Sequence, residues 1–434
     1  MFKLKILLCI LLTGNMVFSQ NPVSPPGVYI ADPTARVDAN GKIYIYGSLD
    51  MVAGEYCSTR HHVLSSGDLL NWTLHPNSFA SAGEGDAVPY SDRMLYAPDM
   101  MYHNGMYYLY YCMSDGSEGV ATAGQPEGRF VNGQKIEGVH GIDPTVFVDD
   151  DGQAYYYWGQ FSAKGARLNP DMKTVDSATV IDDLVTEQTH FFHEGGFVFK
   201  RAGVYYFVYT HIGRQDRATC IGYSTATHPL GPFKYGGVII DNAGCDPESW
   251  NNHGSVAEFR NRWYVFYHRS THGSQSMRKA CVEPIEFLPD GSIPEVPMTS
   301  QGAGNPFDAR KQIDAARACL LWGNVRIVRD EKHPDNEILS AIRHNDRAAW
   351  KYLDYGNGLQ GFKVRVRSKS GGKIVLAGDK PWTSTFGSIT VPENCDWTEL
   401  SCEIKPKSGV ETLWIRFEGN KEKDLFEIDS FVFF

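Results

Sequence analysis

Three carboxylic acids stand at matching places in this chain. Asp32 opens the run Asp32-Pro33-Thr34, Asp143 opens Asp143-Pro144-Thr145-Val146-Phe147, and Glu194 opens Glu194-Gly195-Gly196-Phe197. In each case a short apolar run follows, then a turn, then an aromatic run. Acids repeated at one phase of a structural unit can converge on one pocket. Two such groups suffice for glycoside hydrolysis: one carboxyl, kept protonated, donates to the leaving oxygen, and one carboxylate activates water on the opposite face. A gap of roughly 6.5–9.5 Å between them leaves room for that water and predicts inversion. The donor needs a raised pKa, supplied by burial or by a neighbouring carboxylate. Taken singly, each acid also reads as a turn former, since Asp before Pro and Glu before Gly commonly enter strands.

The elements that must position these acids are hairpins. Five units share the pattern, beginning near Asp32, Ala97, Asp143, Glu194 and His253. Their turns are Asn40-Gly41, Asn104-Gly105, Asp151-Gly152 and Ala202-Gly203, with Arg260-Asn261 as a fifth that lacks glycine. Glycine admits the positive φ of a tight hairpin turn, and aromatic residues suit a packed, pleated surface. Propeller blades take about 40–50 residues each, with insertions in loops. The pattern therefore predicts an all-β chain: a five-bladed β-propeller over 20–297, with a many-hairpinned β-sandwich as the alternative. Residues 298–310 are rich in Gly, Ser, Pro and Asn and read as a linker. From 311 to 434, polar and apolar residues alternate, as in a small β-sandwich of jelly-roll type.

Composition narrows the function further. The chain has 434 residues and a formal charge of −10, which excludes nucleic acid as the main partner. No window reaches the roughly 18 apolar residues of a membrane span. Lys3 and Lys5 precede the apolar run Ile6–Leu12, with small residues before Gln20. Residues 1–19 thus read as a signal peptide of a secreted or periplasmic protein. Of nine cysteines, none forms a zinc-type pair. Cys395 and Cys402 could pair, or remain free thiols. Other residues suited to a sugar site are Arg278, Asp99, Tyr96, Trp250 and Trp158, and His253, which could hold a water or a Ca²⁺ ion on the propeller axis. Arg278 fits a surface ion pair as well as a sugar, the aromatics fit a core, and His253 fits a buried hydrogen-bonded histidine.

Residues 27–296 resemble glycoside hydrolase family 43. The resemblance is carried by Ile30-Ala31-Asp32-Pro33-Thr34, Tyr96-Ala97-Pro98-Asp99, Ile142-Asp143-Pro144-Thr145-Val146-Phe147, His193-Glu194-Gly195-Gly196, Asn252-His253-Gly254-Ser255 and the stretch ending at Arg278. It implies a five-bladed propeller and an inverting, exo-acting hydrolase of plant polysaccharide or oligosaccharide that needs no cofactor for its chemistry. Asp32 would be the general base and Glu194 the general acid. Asp143 would raise the pKa of Glu194 and orient it, Arg278 would contact the sugar, and His253 would be the axial histidine. Tyr96 stands where the family often has Trp, and Gly196 where it often has Pro. α-L-Arabinofuranosidase is the expected activity, with β-xylosidase, exo-β-1,3-galactanase and a propeller that only binds sugar as alternatives. The C-terminal region is similar to a family 6 carbohydrate-binding module through Ala349–Tyr355, Gly361–Val366, Asp396-Trp397 and Glu427–Phe431. That resemblance makes Trp350, Trp382 and Trp397 candidate stacking residues. Ala316 replaces the module's acidic calcium ligand, and Glu427 replaces its sugar-binding Asn.

Overall fold

Alternation with period two builds the ring of this protein. In Ile43-Tyr44-Ile45-Tyr46, the isoleucines pack on one side of their sheet and the tyrosines on the other. Ile43 and Ile45 meet Phe259, Phe266 and Val282 of the last sheet. Tyr44 and Tyr46 meet Leu109 and Tyr111 of the second. Tyr156 and Trp158 turn back to the second sheet, while Tyr155 and Tyr157 turn to the fourth, where Phe207 and Tyr209 receive them. A fifth apolar cluster, around Tyr206, Val208, Val265 and Tyr267, joins the fourth sheet to the last. A strand buried on both faces in this way needs both residue sets to be apolar or aromatic.

The computed structural model describes residues 17–18, 20–214, 217–247, 250–383 and 385–434. All but residues 17–18 of the expected leader lie outside the described residues. Five antiparallel sheets follow one another along the chain. Their innermost strands are Tyr29–Val37, Asp99–His103, Thr145–Val148, Phe192–Arg201 and Ser255–Phe259. Each inner strand contacts the next, and the last returns to the first, which is the arrangement of a five-bladed propeller. Within each blade the strands run outward in chain order, and Val17–Phe18 pairs outside the last strand of the first blade. The N-terminal segment lies along the third strand of the last blade. Val23 N–H donates to Ala280 O at 2.8 Å, and the Asn21 side chain exchanges hydrogen bonds with both backbone groups of Val282. The fifth hairpin turns without glycine because Arg260 and Asn261 both adopt positive φ, 52° and 62°.

Buried tyrosine hydroxyls find partners at blade edges: Tyr46 donates to Pro126 O, Tyr110 to Met172 O and Tyr157 to Pro229 O. The aromatic bodies thus supply apolar area without stranding a polar atom. Asp99 is wholly buried. Its carboxylate accepts a fork from Arg36, at 3.0 and 2.5 Å, plus hydrogen bonds from Thr145 Oγ1 and Val146 N–H. Arg36 also donates to Val146 O and lies over the Phe197 ring. This pair fastens the inner strands of four blades.

Residues 298–310 pass from the last blade to a second unit. Thr299 is bonded to Glu283, and Phe307–Asp308 joins a sheet of that unit. Two six-stranded sheets face each other there across a core containing Trp350, Phe362, Phe431 and Phe433. Trp350 is therefore core. Trp397 lies beneath the guanidiniums of Arg365 and Arg367, and Trp382 is exposed. Glu427 is ion-paired with Arg367 and accepts from Ser340, and Ala316 is packed in the core. Cys395 and Cys402 are free thiols. The two units share a buried ion pair, Lys279 with Glu337 at 2.5 Å, and backbone bonds such as Leu321 N–H to Gly244 O. Among the described residues no helix is long and apolar enough to cross a membrane.

Replacing Asp99 by Ala leaves the Arg36 charge buried without its carboxylate. The variant should lose about 3–5 kcal/mol of stability, measured by urea unfolding.

Candidate active site

All three sequence-matched acids enter the axis through locally distorted backbone. Asp32 has φ 52° and Asp143 φ 57°. The register of the Tyr29–Val37 strand slips between Ala31 and Thr34, and that of Phe192–Arg201 slips on both sides of Glu194. Such bulges re-aim a side chain out of the pleat, and they cluster beside active sites. The same device in blades one and four, with left-handed entry in blade three, brings the three acids around one histidine.

That histidine is His253, at the entry to the fifth inner strand. Its Nδ1 lies 3.6 Å from Asp32 Oδ1 and 4.0 Å from Asp143 Oδ2. The ring rests on Gly195, whose φ is 68°. A Cβ at Gly195 would come within 2.9 Å of the ring and 2.7 Å of Thr210 Oγ1, so the position requires glycine. Gly195 N–H also bonds to Asp143.

Asp32 and Asp143 are poised in opposite senses. Burial by itself would raise the Asp32 carboxyl. The guanidinium of Arg278, then His253, His268 and the Ser48 hydroxyl, outweigh it and hold the group down to about 2. Arg278 Nη1 donates to Asp32 Oδ1 at 2.8 Å, and Ser48 Oγ donates to Oδ2 at 2.6 Å. Asp143 is pushed well above the usual carboxylate range, first by burial, then by the charges of Glu194, Asp32 and Glu118. Its carboxylate accepts from Gly195 N–H, while its own backbone N–H is spent on Cys112 Sγ. Asp143 is the more buried of the two neighbouring acids. Glu194 is half-buried and accepts from Gln160 Nε2 at 2.8 Å. Burial depresses His253, against the pull of Asp32 and Glu194.

The remaining candidates separate by placement. Arg278 is buried, and its guanidinium is taken up by a fork to Asp50 and the bond to Asp32. It orders and charges Asp32, where a sugar contact was expected. Asp99 faces Arg36 and the third blade's strand, and it contributes to the ring in place of a sugar site. Trp158 is core. Tyr96 is half-buried beside Cys57 and Cys112, and its carbonyl accepts from His61. Trp250 is 40% exposed on the loop that leads to His253. Ser48, Asp50, His268 and Gln160 were not expected. Ser48 and Asp50 are two residues apart on one strand and so share a face, but that signal acquires meaning only once Asp32 is known to lie opposite.

A calcium site does not follow from these residues. Calcium takes six to eight oxygen ligands. Among the described residues no cluster of three acids, histidines or cysteines could hold a metal ion. His253 offers one nitrogen between two carboxylates, of which Asp32 is already engaged with Arg278.

A closed ring with paired acids around its axis defines a hydrolase of glycosidic bonds. The comparisons with known proteins agree. Residues 19–293 match the profile of glycosyl hydrolases family 43, and residues 322–434 match carbohydrate binding module family 6. The chain belongs to glycosyl hydrolase family 43 and is a glycosidase. It is 31% identical to a xylosidase/arabinosidase of Thermoclostridium stercorarium, over 93% of this chain and 97% of that protein. It is 30% identical to an arabinoxylan arabinofuranohydrolase of Bacillus subtilis (strain 168), over 93% of this chain and 90% of that one. The solved structure of a family 43 arabinoxylan arabinofuranohydrolase from Bacillus subtilis, in complex with cellotetraose, superposes with a TM-score of 0.55. It shares 27% identity and covers 95% of this chain and 97% of its own.

Gly195→Ala should cost about 1–2 kcal/mol from the left-handed backbone alone, and more from displacing His253. Chemical unfolding gives the first effect, and loss of turnover with the fold retained gives the second.

Proposed function

We propose that the protein is an exported, exo-acting, inverting glycosidase that removes α-L-arabinofuranosyl groups from a xylan-type plant polysaccharide. The observation that carries this reading is the gathering of three acids at His253, with Asp32 held low by Arg278 and Asp143 raised by burial beside Glu194. Asp32 takes a proton from water. The water oxygen bonds to the anomeric carbon on the face away from the aglycone. The bond from that carbon to the glycosidic oxygen breaks, and Glu194 delivers a proton to the departing oxygen. Asp143, buried against Glu194, keeps that partner oriented and disfavours a second negative charge in the pocket. The sugar leaves with its anomeric configuration inverted.

The choice of arabinofuranose is supported by the Bacillus subtilis relative named above, in sequence and in structure, which acts on arabinoxylan by name. Removal of β-D-xylose is the second reading, favoured by the name of the Thermoclostridium relative. Export to the periplasm or beyond is supported by the charged and apolar N-terminus.

Glu194→Gln should lower kcat/KM on arabinoxylan by about 10²–10⁴. The loss should be smaller on 4-nitrophenyl α-L-arabinofuranoside, whose leaving group needs little protonation. Asp32→Asn should impair both substrates alike. Wild-type rates in both variants, or retention at the anomeric carbon by ¹H NMR, would overturn the mechanism.

Arg278→Gln removes the cation that keeps Asp32 ionised. The Asp32 carboxyl then rises, so the acidic limb of the kcat/KM profile should move to higher pH by about 1–3 units. An unmoved limb in a folded variant would assign that limb to another group.

A further inference from the structure

A groove of about 520 Å³ lies between the propeller and the sandwich, outside the acid pocket. Its size falls in the range of small-molecule sites, roughly 300–1,000 Å³. Arg214, Arg217, Asp241 and Pro247 line its propeller side, and Trp322 its sandwich side. We propose that this groove holds the main chain of the polysaccharide while the acid pocket takes the side group. The proposal rests on the glycosidase reading above and adds a second contact region, built jointly by both units.

Three observations support it. Trp322 is 65% exposed, yet the residue before it is buried, and Leu321 N–H donates to Gly244 O across the groove at 2.7 Å. The backbone that carries the indole is thus fixed at the rim. A large flat apolar face kept in water at a fixed place marks a binding surface. The C–H face of a pyranose ring is the apolar partner of matching size.

The polar walls are prebuilt as well. Arg214 is held by Asp241 at 3.3 Å and Glu295 at 2.6 Å. Asp246, buried at the groove floor, accepts from Gly273 N–H at 3.0 Å and faces Arg326. Charges of both signs line the groove. Such a lining suits a neutral, hydroxyl-rich ligand, whereas an anion would call for one sign.

One stretch of the chain joins the groove lining to the catalytic residues. Asp241 ends the outermost strand of the fourth blade, and the chain from there reaches His253. Asn242 pins the two ends of this loop together by donating to Asn251 O and to His268 O, and His268 lies 3.5 Å from Asp32. Trp250, exposed on the same loop, lies in sequence between Pro247 in the groove and His253 in the pocket. The indoles of Trp322 and Trp250 would thereby mark the path of the glycan chain.

The test compares Trp322→Ala with wild type on arabinoxylan and on 4-nitrophenyl α-L-arabinofuranoside. The ratio of kcat/KM on polymer to that on the aryl substrate should fall about tenfold, equal to about 1.4 kcal/mol. The change should appear in KM for the polymer, with kcat retained. Tyr102→Ala, an exposed aromatic on the second blade's hairpin tip, should keep the wild-type ratio. An unchanged ratio in Trp322→Ala would overturn the groove and leave the glycosidase reading intact. If wild type cleaves neither substrate, that reading fails instead. The groove is then judged by electrophoresis in arabinoxylan gels, where equal retardation of wild type and Trp322→Ala would overturn it.

Discussion

Arg278 is bound between two buried carboxylates, Asp50 and Asp32, and much of the structure depends on that contact. Arg278 enters the third strand of the last blade, Asp50 ends the second strand of the first, and Asp32 sits on the first inner strand. The cluster therefore closes the ring electrostatically where the first and last blades meet. Taking three charges out of water is costly, and a fork geometry with a further backbone bond is what offsets the cost. The same contact places a permanent cation beside Asp32. Ring closure and the ionised state of Asp32 thus share one cause.

The opposite state of Asp143 follows from what it lacks. Among the described residues no arginine or lysine is paired with it. Burial and the charges of Glu194, Asp32 and Glu118 all act in one direction. A single pocket so holds a carboxylate and a carboxylic acid at the same pH, which is the asymmetry that acid–base cleavage of a glycosidic bond requires. Asp143 and Glu194 differ in their surroundings. The difference arises from depth: Glu194 reaches a half-buried position beside Gln160, and Asp143 stays inside.

The sandwich is fastened to the propeller by buried charge and backbone bonds as well as by a connecting segment. Lys279 and Glu337 are both buried at the junction, and Arg329 donates to Gly27 O. A junction of this kind fixes the relative position of the two units, so residues of one can complete a surface of the other. Glu427 and Ala316 show that the module's own usual positions have been put to packing and ion pairing.

Much of this protein was determined by local sequence. Period-two alternation between faces of aromatic strands requires packing on two neighbours, and a chain of such units closes into a ring. The matched phase of Asp32, Asp143 and Glu194 already placed them at equivalent strand entries, because the backbone distortions there are written in Asp-Pro and Glu-Gly-Gly. The roles of Asp99 and Arg278 were beyond its reach. Both are acids or bases near motif positions, and only the tertiary structure sets Arg36 opposite one and Asp50 opposite the other. Asp50 and Arg278 are separated by 228 positions along the chain. Electrostatic state depends on distance in space and on exclusion of water, and neither is a property of neighbours in sequence.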